Sequence, residues 1–238
     1  MTRKQLKELS WEQIQGKIAR SFLVSLIIAA IVSAVSSMIS LPQQILAVFV
    51  DVWAQSVDNM HYITEEEAIG IIIFGFVLVG ISFFLAFIQI ILQCLITGPF
   101  NFSTYNIFLK ITDNKDFSVG DAFSGFKTYK KAVGVYFYQM LFTTLWTFLF
   151  IIPGIVKAFA YSMAGYISLE NPELSSRECI TRSKEMMKGH KWEFFMLNLS
   201  FIGWILLTLV SCGIAGIWYI PYCSASHANF YRQLKGEI

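Results

Sequence analysis

Long stretches without a charged side chain restrict this chain to a membrane fold. No Asp, Glu, Lys or Arg occurs between Arg20 and Asp51, or between Glu67 and Lys110. A helix of about 20 apolar residues crosses roughly 30 Å of hydrocarbon. Only 14% of the 238 residues are charged, against about 25% in a soluble protein, so polar surface is too scarce for a water-exposed globule. The sequence therefore predicts an all-α, polytopic membrane protein.

The apolar stretches predict six transmembrane helices in a single membrane domain, residues 21–238. The predicted helices are 21–41, 67–97, 132–152, 154–169, 192–211 and 214–232. Residues 42–66 form the predicted outer loop, and 98–131 and 170–191 form cytoplasmic segments. Glycines and prolines predict structural turns and kinks: Gly98, Pro99, Pro153, Gly154, Gly213 and Pro221, with Pro153 as the first residue of the fourth helix.

Basic residues predict the orientation. Seventeen of the 18 lysines and arginines fall on one side of the six-helix arrangement, and the segment 42–66 contains acidic residues but no Lys or Arg. The positive-inside rule assigns the basic side to the cytoplasm. Both termini are then cytoplasmic, and Cys212 in the last turn faces outward. The remaining basic residue is Lys157.

Three polar segments have amphipathic character. Residues 1–20 predict an interfacial helix, with a coil as the alternative. Residues 117–131 and 175–191 predict amphipathic cytoplasmic helices. A shift of 58 residues aligns the last two and places Trp146 on Trp204. Either a duplicated unit or the shared use of lysine and aromatic residues at membrane interfaces explains the match.

Signals for chemistry are scarce. The sequence contains no HExxH or GxSxG motif and no phosphate-binding glycine loop. The four cysteines are scattered, and the three histidines lie far apart, with His61 in an acidic loop. No basic stripe suggests a nucleic acid as a partner. We expect no catalytic residue, no cofactor and no metal, and therefore not an enzyme.

Polar side chains inside the predicted helices are the candidates for packing or for a polar cavity. Amide side chains in a membrane usually form hydrogen bonds between helices. The candidate amides in this sequence are Gln89, Gln93, Gln139 and Asn198. In the first helix a small residue recurs at every fourth position: Ser25, Ala29, Ser33 and Ser37. That stripe allows close packing within the chain or, alternatively, in a homodimer.

Lys157 is the most unusual residue in the string "FLFIIPGIVKAFAYSMAGYI" (148–167). A helical projection places it beside Tyr161 and Gly154, on the side of small and polar residues that faces other helices. It follows Pro153 by four residues, or roughly 6 Å, which places it near the outer surface. A structural lysine, a lysine that reaches lipid headgroups and a ligand-binding lysine are the three alternatives. Lys157 and Tyr161, with the four amides, form the candidate ligand-binding set.

Several strings resemble an uncharacterised bacterial membrane family, domain of unknown function 975. They are "WTFLFIIPGIVKAFAYSMAGYI", "NPELSSRECITRSKEMMKGHKWEFFMLNLSFIGW" and "GIWYIPYCSASHANFY". The resemblance covers roughly residues 115–235. The same segment is also remotely similar to membrane domains of glycerophosphodiester phosphodiesterases. It implies a multi-pass protein of the bacterial cytoplasmic membrane, without an assigned activity.

Two functional hypotheses follow. The first is a membrane protein that binds or moves a small or lipidic ligand, or assists a transport or envelope system. The second is an interaction protein that docks a soluble partner through its cytoplasmic helices. The expected partners are the lipid bilayer, including anionic lipid, and a second copy or another membrane protein.

Overall fold

A computed structural model describes residues 1–58 and 64–238, and within these ranges the chain is helical without a β-strand. The predicted all-α class is confirmed. The elements are α1 (Arg3–Ile14), α2 (Ile18–Asp58), α3 (Glu65–Thr112), a 3₁₀ helix (Val119–Thr128), α4 (Tyr129–Leu149), α5 (Ile151–Tyr161), α6 (Ala164–Glu170), α7 (Ser176–Met186), α8 (Lys191–Leu199), α9 (Ile202–Val210) and α10 (Gly216–Lys235).

In the described residues, five helical segments are long and apolar enough to cross a membrane. They are Ile18–Asp58, Glu65–Thr112, Val119–Leu149, Ile151–Glu170 and Lys191–Val210. The sixth predicted helix, 214–232, corresponds to α10, which is not among the five. Its second half contains Ser, His, Asn, Arg and Gln residues. The count of six and the orientation stay predictions.

The structure corrects the predicted ends of the first two long helices. The outer loop was expected from residue 42, but α2 continues through Pro42 to Asp58. The second helix was expected to end at residue 97, but α3 continues through Pro99 to Thr112. A proline removes one backbone hydrogen bond and does not have to end a helix in a membrane protein. The rest of the predicted loop, including residues 59–63 and thus His61, lies outside the described residues.

Two other predicted helices, the fourth and the fifth, are divided. The fourth begins at Ile151, which makes Pro153 its third residue instead of its first, and it is interrupted between Tyr161 and Ala164. The fifth is interrupted between α8 and α9. Pro153 still lies in the first helical turn, where its missing N–H leaves no hydrogen bond unmade.

The chain divides into two compact units. The smaller one is Ile31–Leu95, which pairs the second part of α2 with the first part of α3. The Trp53 ring packs against Gly75, and the Gln93 amide donates to Ser36 Oγ at 2.9 Å. Most large apolar side chains of this unit are exposed, as expected of helices that face lipid.

The larger unit, Met1–Ala30 with Ile96–Ile238, contains a base that we call the polar layer. It consists of α1, residues 96–112 of α3, the 3₁₀ helix, α6, α7, α8 and residues 222–235 of α10. Most of the fully buried large side chains lie here: Leu6, Ile14, Phe102, Phe108, Ile111, Ile167, Leu197 and Tyr231. The polar layer is therefore packed like the core of a soluble protein.

Capped helix ends and ion pairs stabilise the polar layer. A capping box of Ser175 and Glu178 begins α7, and hydrogen bonds from Ser175 hold the pKa of the Glu178 carboxyl below its usual value. Asn229 of α10 donates to Ser10 Oγ at 2.9 Å and to Gln13 Oε1 at 2.7 Å, which attaches α1 to α10.

A cluster of ion pairs closes the polar layer at the end of α10. Arg232 donates to Asp113 Oδ1 and to Glu237 Oε2, both at 2.7 Å, and it also bonds Glu170. Lys235 Nζ lies 2.8 Å from Glu170 Oε2. The hydrogen bond from Lys235 holds the pKa of the Glu237 carboxyl below its usual value. The cluster joins the ends of α3, α6 and α10, which are distant in sequence.

Two apolar hairpins extend from the polar layer. The first hairpin, residues 140–160, joins α4 to α5, and the second hairpin, residues 201–221, joins α9 to α10. Gly154 of the first hairpin packs against α4, where a Cβ would overlap Thr147 Oγ1 and lie 2.7 Å from Thr147 Cα. Large apolar side chains at both turns are exposed, and Phe148 is 93% exposed.

Candidate functional site

The best candidate site is a groove between α5 and α8, which we call the lysine groove. Its volume is about 380 Å³, and its lining residues are Ile152, Ile155, Val156, Phe159, Lys191, Trp192 and Phe195. The α5 residues recur at the spacing that places side chains on one face of a helix. Every lining residue except Lys191 is apolar or aromatic, so the groove has one charged edge.

Aromatic contacts and a serine hold the two walls of the lysine groove. The Phe159 ring packs edge-to-face on Phe195, with centroids 6.0 Å apart, and Trp192 lies 5.2 Å from Phe195. Ser183 of α7 donates to the Ala160 carbonyl at 2.9 Å and accepts from the Met163 N–H at 3.2 Å. This serine fixes the end of α5, and with it the wall that α5 contributes.

Lys157 lies on the side of α5 that faces α4. Its Nζ is 4.4 Å from the centre of the Trp146 ring, a cation–π contact. Lys184 and Lys191 are close enough to act electrostatically on it. We predicted Lys157 to lie apart from the other basic residues, and the structure instead brings it close to these two lysines. Its predicted position near the outer surface stays a prediction. The sequence also did not reveal Trp146 as its partner, because the two residues meet only when the hairpin folds.

Removal of the Lys157 side chain is expected to have a small effect. Lys157→Ala should lower the free energy of unfolding by about 1 kcal/mol, the value of a partly exposed cation–π contact. Thermal unfolding of the purified protein in detergent measures the change. Lys130→Ala removes an exposed lysine of α4 and serves as the control. Equal losses in the two variants would contradict the role of the Trp146 contact.

The predicted amides form separate interhelical contacts. Gln139 Nε2 donates to the Tyr161 carbonyl at 2.7 Å, and the Tyr161 ring is buried against Phe142. Asn198 Oδ1 lies 3.0 Å from His227 Nε2, which joins α8 to α10. Gln93 bonds Ser36 within the smaller unit, where Gln89 is half-buried. In the larger unit Lys157, Gln139 and Tyr161 lie along the α4–α5 hairpin, while Asn198 lies at the α8–α10 contact.

A Cys–His–Asn cluster is present that the sequence did not reveal. Cys223 Sγ lies 3.7 Å from His227 Nε2, the same nitrogen that contacts Asn198. A catalytic relay needs the thiol on one ring nitrogen and the orienting group on the other. Since both neighbours meet Nε2, the cluster does not have the arrangement of such a relay. The i, i+4 spacing of Cys223 and His227 on α10 was the available signal.

The two amphipathic segments differ in how far their apolar side chains are buried. In α7 the side chains of Cys179, Ile180 and Ser183 are buried. In the 3₁₀ helix Ala122 and Gly125 are buried, whereas three larger apolar side chains are exposed: Val119, Phe123 and Phe126. The apolar face of α7 is therefore occupied and does not favour a docking site for a soluble partner. Among the described residues no group of three His, Cys, Asp or Glu side chains could hold a metal ion.

Comparison with known families identifies the part of the chain that carries the lysine groove. Residues 148–237 match the family described as Protein of unknown function (DUF975). We call these residues the DUF975 segment. The resemblance predicted from the sequence is therefore confirmed from α5 through α10. No curated protein and no solved structure matches the chain. The more remote similarity to phosphodiesterase membrane domains stays a prediction.

The DUF975 segment includes both walls of the lysine groove and the whole second hairpin. Two helices pack on this segment from outside it: α1 precedes the matched residues, and so does α4 apart from its last two residues. The family description names no activity, so a function has to be argued from the geometry.

Proposed function

We propose that this protein binds an anionic phospholipid in the lysine groove, within the bacterial cytoplasmic membrane. The observation that carries the proposal is an apolar groove with a single lysine at its edge, at the junction of the polar layer and an apolar hairpin. An acyl chain would lie against the α5 wall, and the lipid phosphate would bind Lys191. The proposed activity is ligand binding and not catalysis.

The charges around the groove favour an anionic headgroup. Lys191 lines the groove. Lys157 is close enough to both Lys191 and Lys184 to interact with them electrostatically. None of the lining residues is acidic. Each lysine near an anionic lipid surface contributes about 1 kcal/mol of binding free energy. A phosphate group would reduce the mutual repulsion of these three ammonium groups.

The side chains at the two ends of the groove favour a position where hydrocarbon meets the lipid headgroups. Trp192 is 69% exposed at the groove edge, and tryptophan is enriched where hydrocarbon meets the headgroups. Ile152, toward the hairpin turn, is exposed and apolar. The groove thus runs from a charged end to an apolar end, as a phospholipid does.

Lys191→Ala is expected to weaken the binding of anionic phospholipid about five-fold, since one lysine contributes about 1 kcal/mol. Binding is measured by native mass spectrometry of the purified protein, titrated with phosphatidylglycerol or with phosphatidylcholine. Lys130→Ala is the matched control and should bind like the wild type. Unchanged phosphatidylglycerol binding in Lys191→Ala would contradict the proposal.

A second variant separates the headgroup from the acyl chain. Val156→Trp places a large side chain in the groove and leaves Lys191 in place. It is expected to reduce the binding of both lipids, whereas Lys191→Ala reduces only the preference for phosphatidylglycerol. If Val156→Trp leaves the binding of both lipids unchanged, the acyl chain does not lie in this groove.

A further inference from the structure

The apolar hairpins end in turns that are unsuited to water. At the first turn Phe148 and Ile152 are 93% and 75% exposed, and at the second turn Val210 is 83% exposed. We infer that both hairpins enter one leaflet of the bilayer, on the side of the polar layer, and turn back inside the hydrocarbon. In this arrangement neither hairpin crosses the membrane. The inference is independent of the lipid that the lysine groove binds.

The arms of the first hairpin are too short to cross. At its base Gln139 bonds the Tyr161 carbonyl, and Ser183 of the charged helix α7 bonds the neighbouring Ala160. From Tyr161 to the turn at Phe150 there are eleven residue steps, or about 16 Å of helix. The hydrocarbon core is about 30 Å thick. The arm therefore reaches about the middle of the bilayer.

The second hairpin has the same depth. At its base Lys7 Nζ lies 3.3 Å from Ser200 Oγ, and the Trp11 ring packs edge-to-face on Tyr222. From Ser200 to Ser211 there are again eleven residue steps, or about 16 Å. The first arm of this hairpin thus also ends near the middle of the bilayer.

Charged helices fix the base of each hairpin outside the hydrocarbon. The α7 helix, which packs on α4 and α5, exposes several charged side chains: Arg177, Arg182, Lys184 and Glu185. The α1 helix, which packs on α10, exposes Lys4 and Glu8. A charged side chain at the centre of a bilayer is unfavourable by several kcal/mol on most scales. The parts of α4 and α5 that pack on α7, and the part of α10 that packs on α1, therefore lie outside the hydrocarbon, so these helices do not span the bilayer.

The second turn satisfies its own backbone, as a turn inside hydrocarbon must. Each N–H from residue 211 to residue 217 is donated within the turn: Ser211 to Leu207 O, Cys212 to Leu209 O, Gly213 to Thr208 O, Ile214 to Ser211 O, Ala215 to Ser211 Oγ, Gly216 to Gly213 O and Ile217 to Ile214 O. A positive φ of 92° at Gly213 permits the close turn. The hydroxyl of Thr208 also bonds within its helix, to Trp204 O.

The first turn has fewer N–H groups to satisfy because of its sequence. Phe150 donates to Trp146 O, and Gly154 donates to Phe150 O. Pro153 between them has no N–H.

The second hairpin contains no charged side chain, since no Asp, Glu, Lys or Arg occurs between Glu193 and Arg232. Neither turn itself carries a charged side chain, and in the first hairpin Lys157 lies seven residues from Phe150, toward the base.

Shallow insertion also accounts for Lys157. A spanning hairpin places it near the surface opposite the other basic residues. In a half-inserted hairpin it lies toward the polar layer, where Lys184 and Lys191 act on it. The positive-inside rule then holds for this lysine as well.

Labelling of Cys212 tests the inference. The full-length protein carries Cys94→Ala, Cys179→Ala and Cys223→Ala, so that Cys212 is the remaining thiol. An impermeant maleimide is applied to intact cells, to permeabilised cells and after denaturation in SDS. We expect modification of Cys212 only in SDS. Two control variants in a background that also has Cys212→Ala calibrate the two sides: Asp58→Cys, expected to react in intact cells, and Glu173→Cys, expected to react after permeabilisation.

Each other labelling pattern overturns the inference. Modification of Cys212 in intact cells would show that the second hairpin crosses the membrane. Modification in permeabilised cells without SDS would show that the turn lies in water on the side of the polar layer.

A depth measurement distinguishes lipid from protein around the turn. A bimane group on Cys212 is quenched by lipids that carry a nitroxide either at the headgroup or near the end of the acyl chain. We expect stronger quenching by the acyl-chain nitroxide. Weaker or absent quenching by that probe would show that the turn lies near the surface or is covered by protein. Phe148→Cys, with Cys212→Ala, tests the first hairpin in the same way, with the same expected result.

Discussion

Gly125→Ala is expected to lower the free energy of unfolding by about 3 kcal/mol, the upper part of the range for overpacking a core. Gly125 of the 3₁₀ helix packs on α3, where an added Cβ would overlap the Pro99 carbonyl oxygen and lie 2.8 Å from its carbon. Backbone atoms cannot rotate away as a side chain can. The Gly125 N–H also donates to Ser103 Oγ at 2.9 Å, so a displaced 3₁₀ helix loses this buried hydrogen bond.

The same 3₁₀ helix provides the control for this prediction. Gly120→Ala adds a Cβ that comes no closer than 3.5 Å to Ser118 Oγ, an ordinary contact. Thermal unfolding in detergent is expected to show a decrease of about 6–12 °C for Gly125→Ala, from 2–4 °C per kcal/mol for a protein of this size. Gly120→Ala should differ little from the wild type. Equal transition temperatures for the two variants would contradict the packing of the 3₁₀ helix on α3.

Arg232→Ala is expected to destabilise the polar layer by about 3 kcal/mol, because it leaves paired carboxylates without their cation. The Arg232 side chain is only 11% exposed, and its three carboxylate partners are Asp113, Glu170 and Glu237. The loss should separate the ends of α3, α6 and α10. Limited proteolysis of membranes is therefore expected to cleave the C-terminal end of α10 faster than in the wild type.

An exposed arginine provides the control for Arg232. Arg177→Ala removes the same charge from the surface of α7, where single changes usually alter stability by less than about 0.5 kcal/mol. Addition of salt should reduce the difference between Arg232→Ala and the wild type only slightly, because partly buried pairs are weakly screened. If both arginine variants unfold at the same temperature, the cluster does not stabilise the fold.

Several elements of the fold were predictable because they depend on local composition. The apolar stretches and the low fraction of charged residues indicated helices in a membrane. The DUF975 resemblance was recognisable from short strings around Pro153, Ser183 and Trp204. The helical side that contains Gly154, Lys157 and Tyr161 was also predictable, because the period of an α-helix does not depend on its neighbours.

Other features were not predictable because they depend on residues that are distant in sequence. The first two long helices were predicted to end at residues 41 and 97, just before Pro42 and Pro99, although both helices continue through these prolines. The lysine groove requires α5 and α8 to lie side by side, and their residues are about 40 positions apart in the chain. The contact between Lys157 and Trp146 requires the first hairpin to fold back on itself. None of these pairings leaves a periodic signal.

The sequence alone determined the class of this protein and the location of its apolar segments, because transfer of side chains into lipid depends on their chemistry and on helix length. Only the tertiary structure showed which parts of the apolar segments pack against charged helices. The segments that contain α4, α5 and α8 have the length of a membrane span: Val119–Leu149, Ile151–Glu170 and Lys191–Val210. In the half-inserted arrangement that we infer, packing of charged helices such as α7 against the bases of these segments leaves only the hairpins for the hydrocarbon. The physical reason is that a charged neighbour excludes lipid from a helix face whose own sequence is apolar.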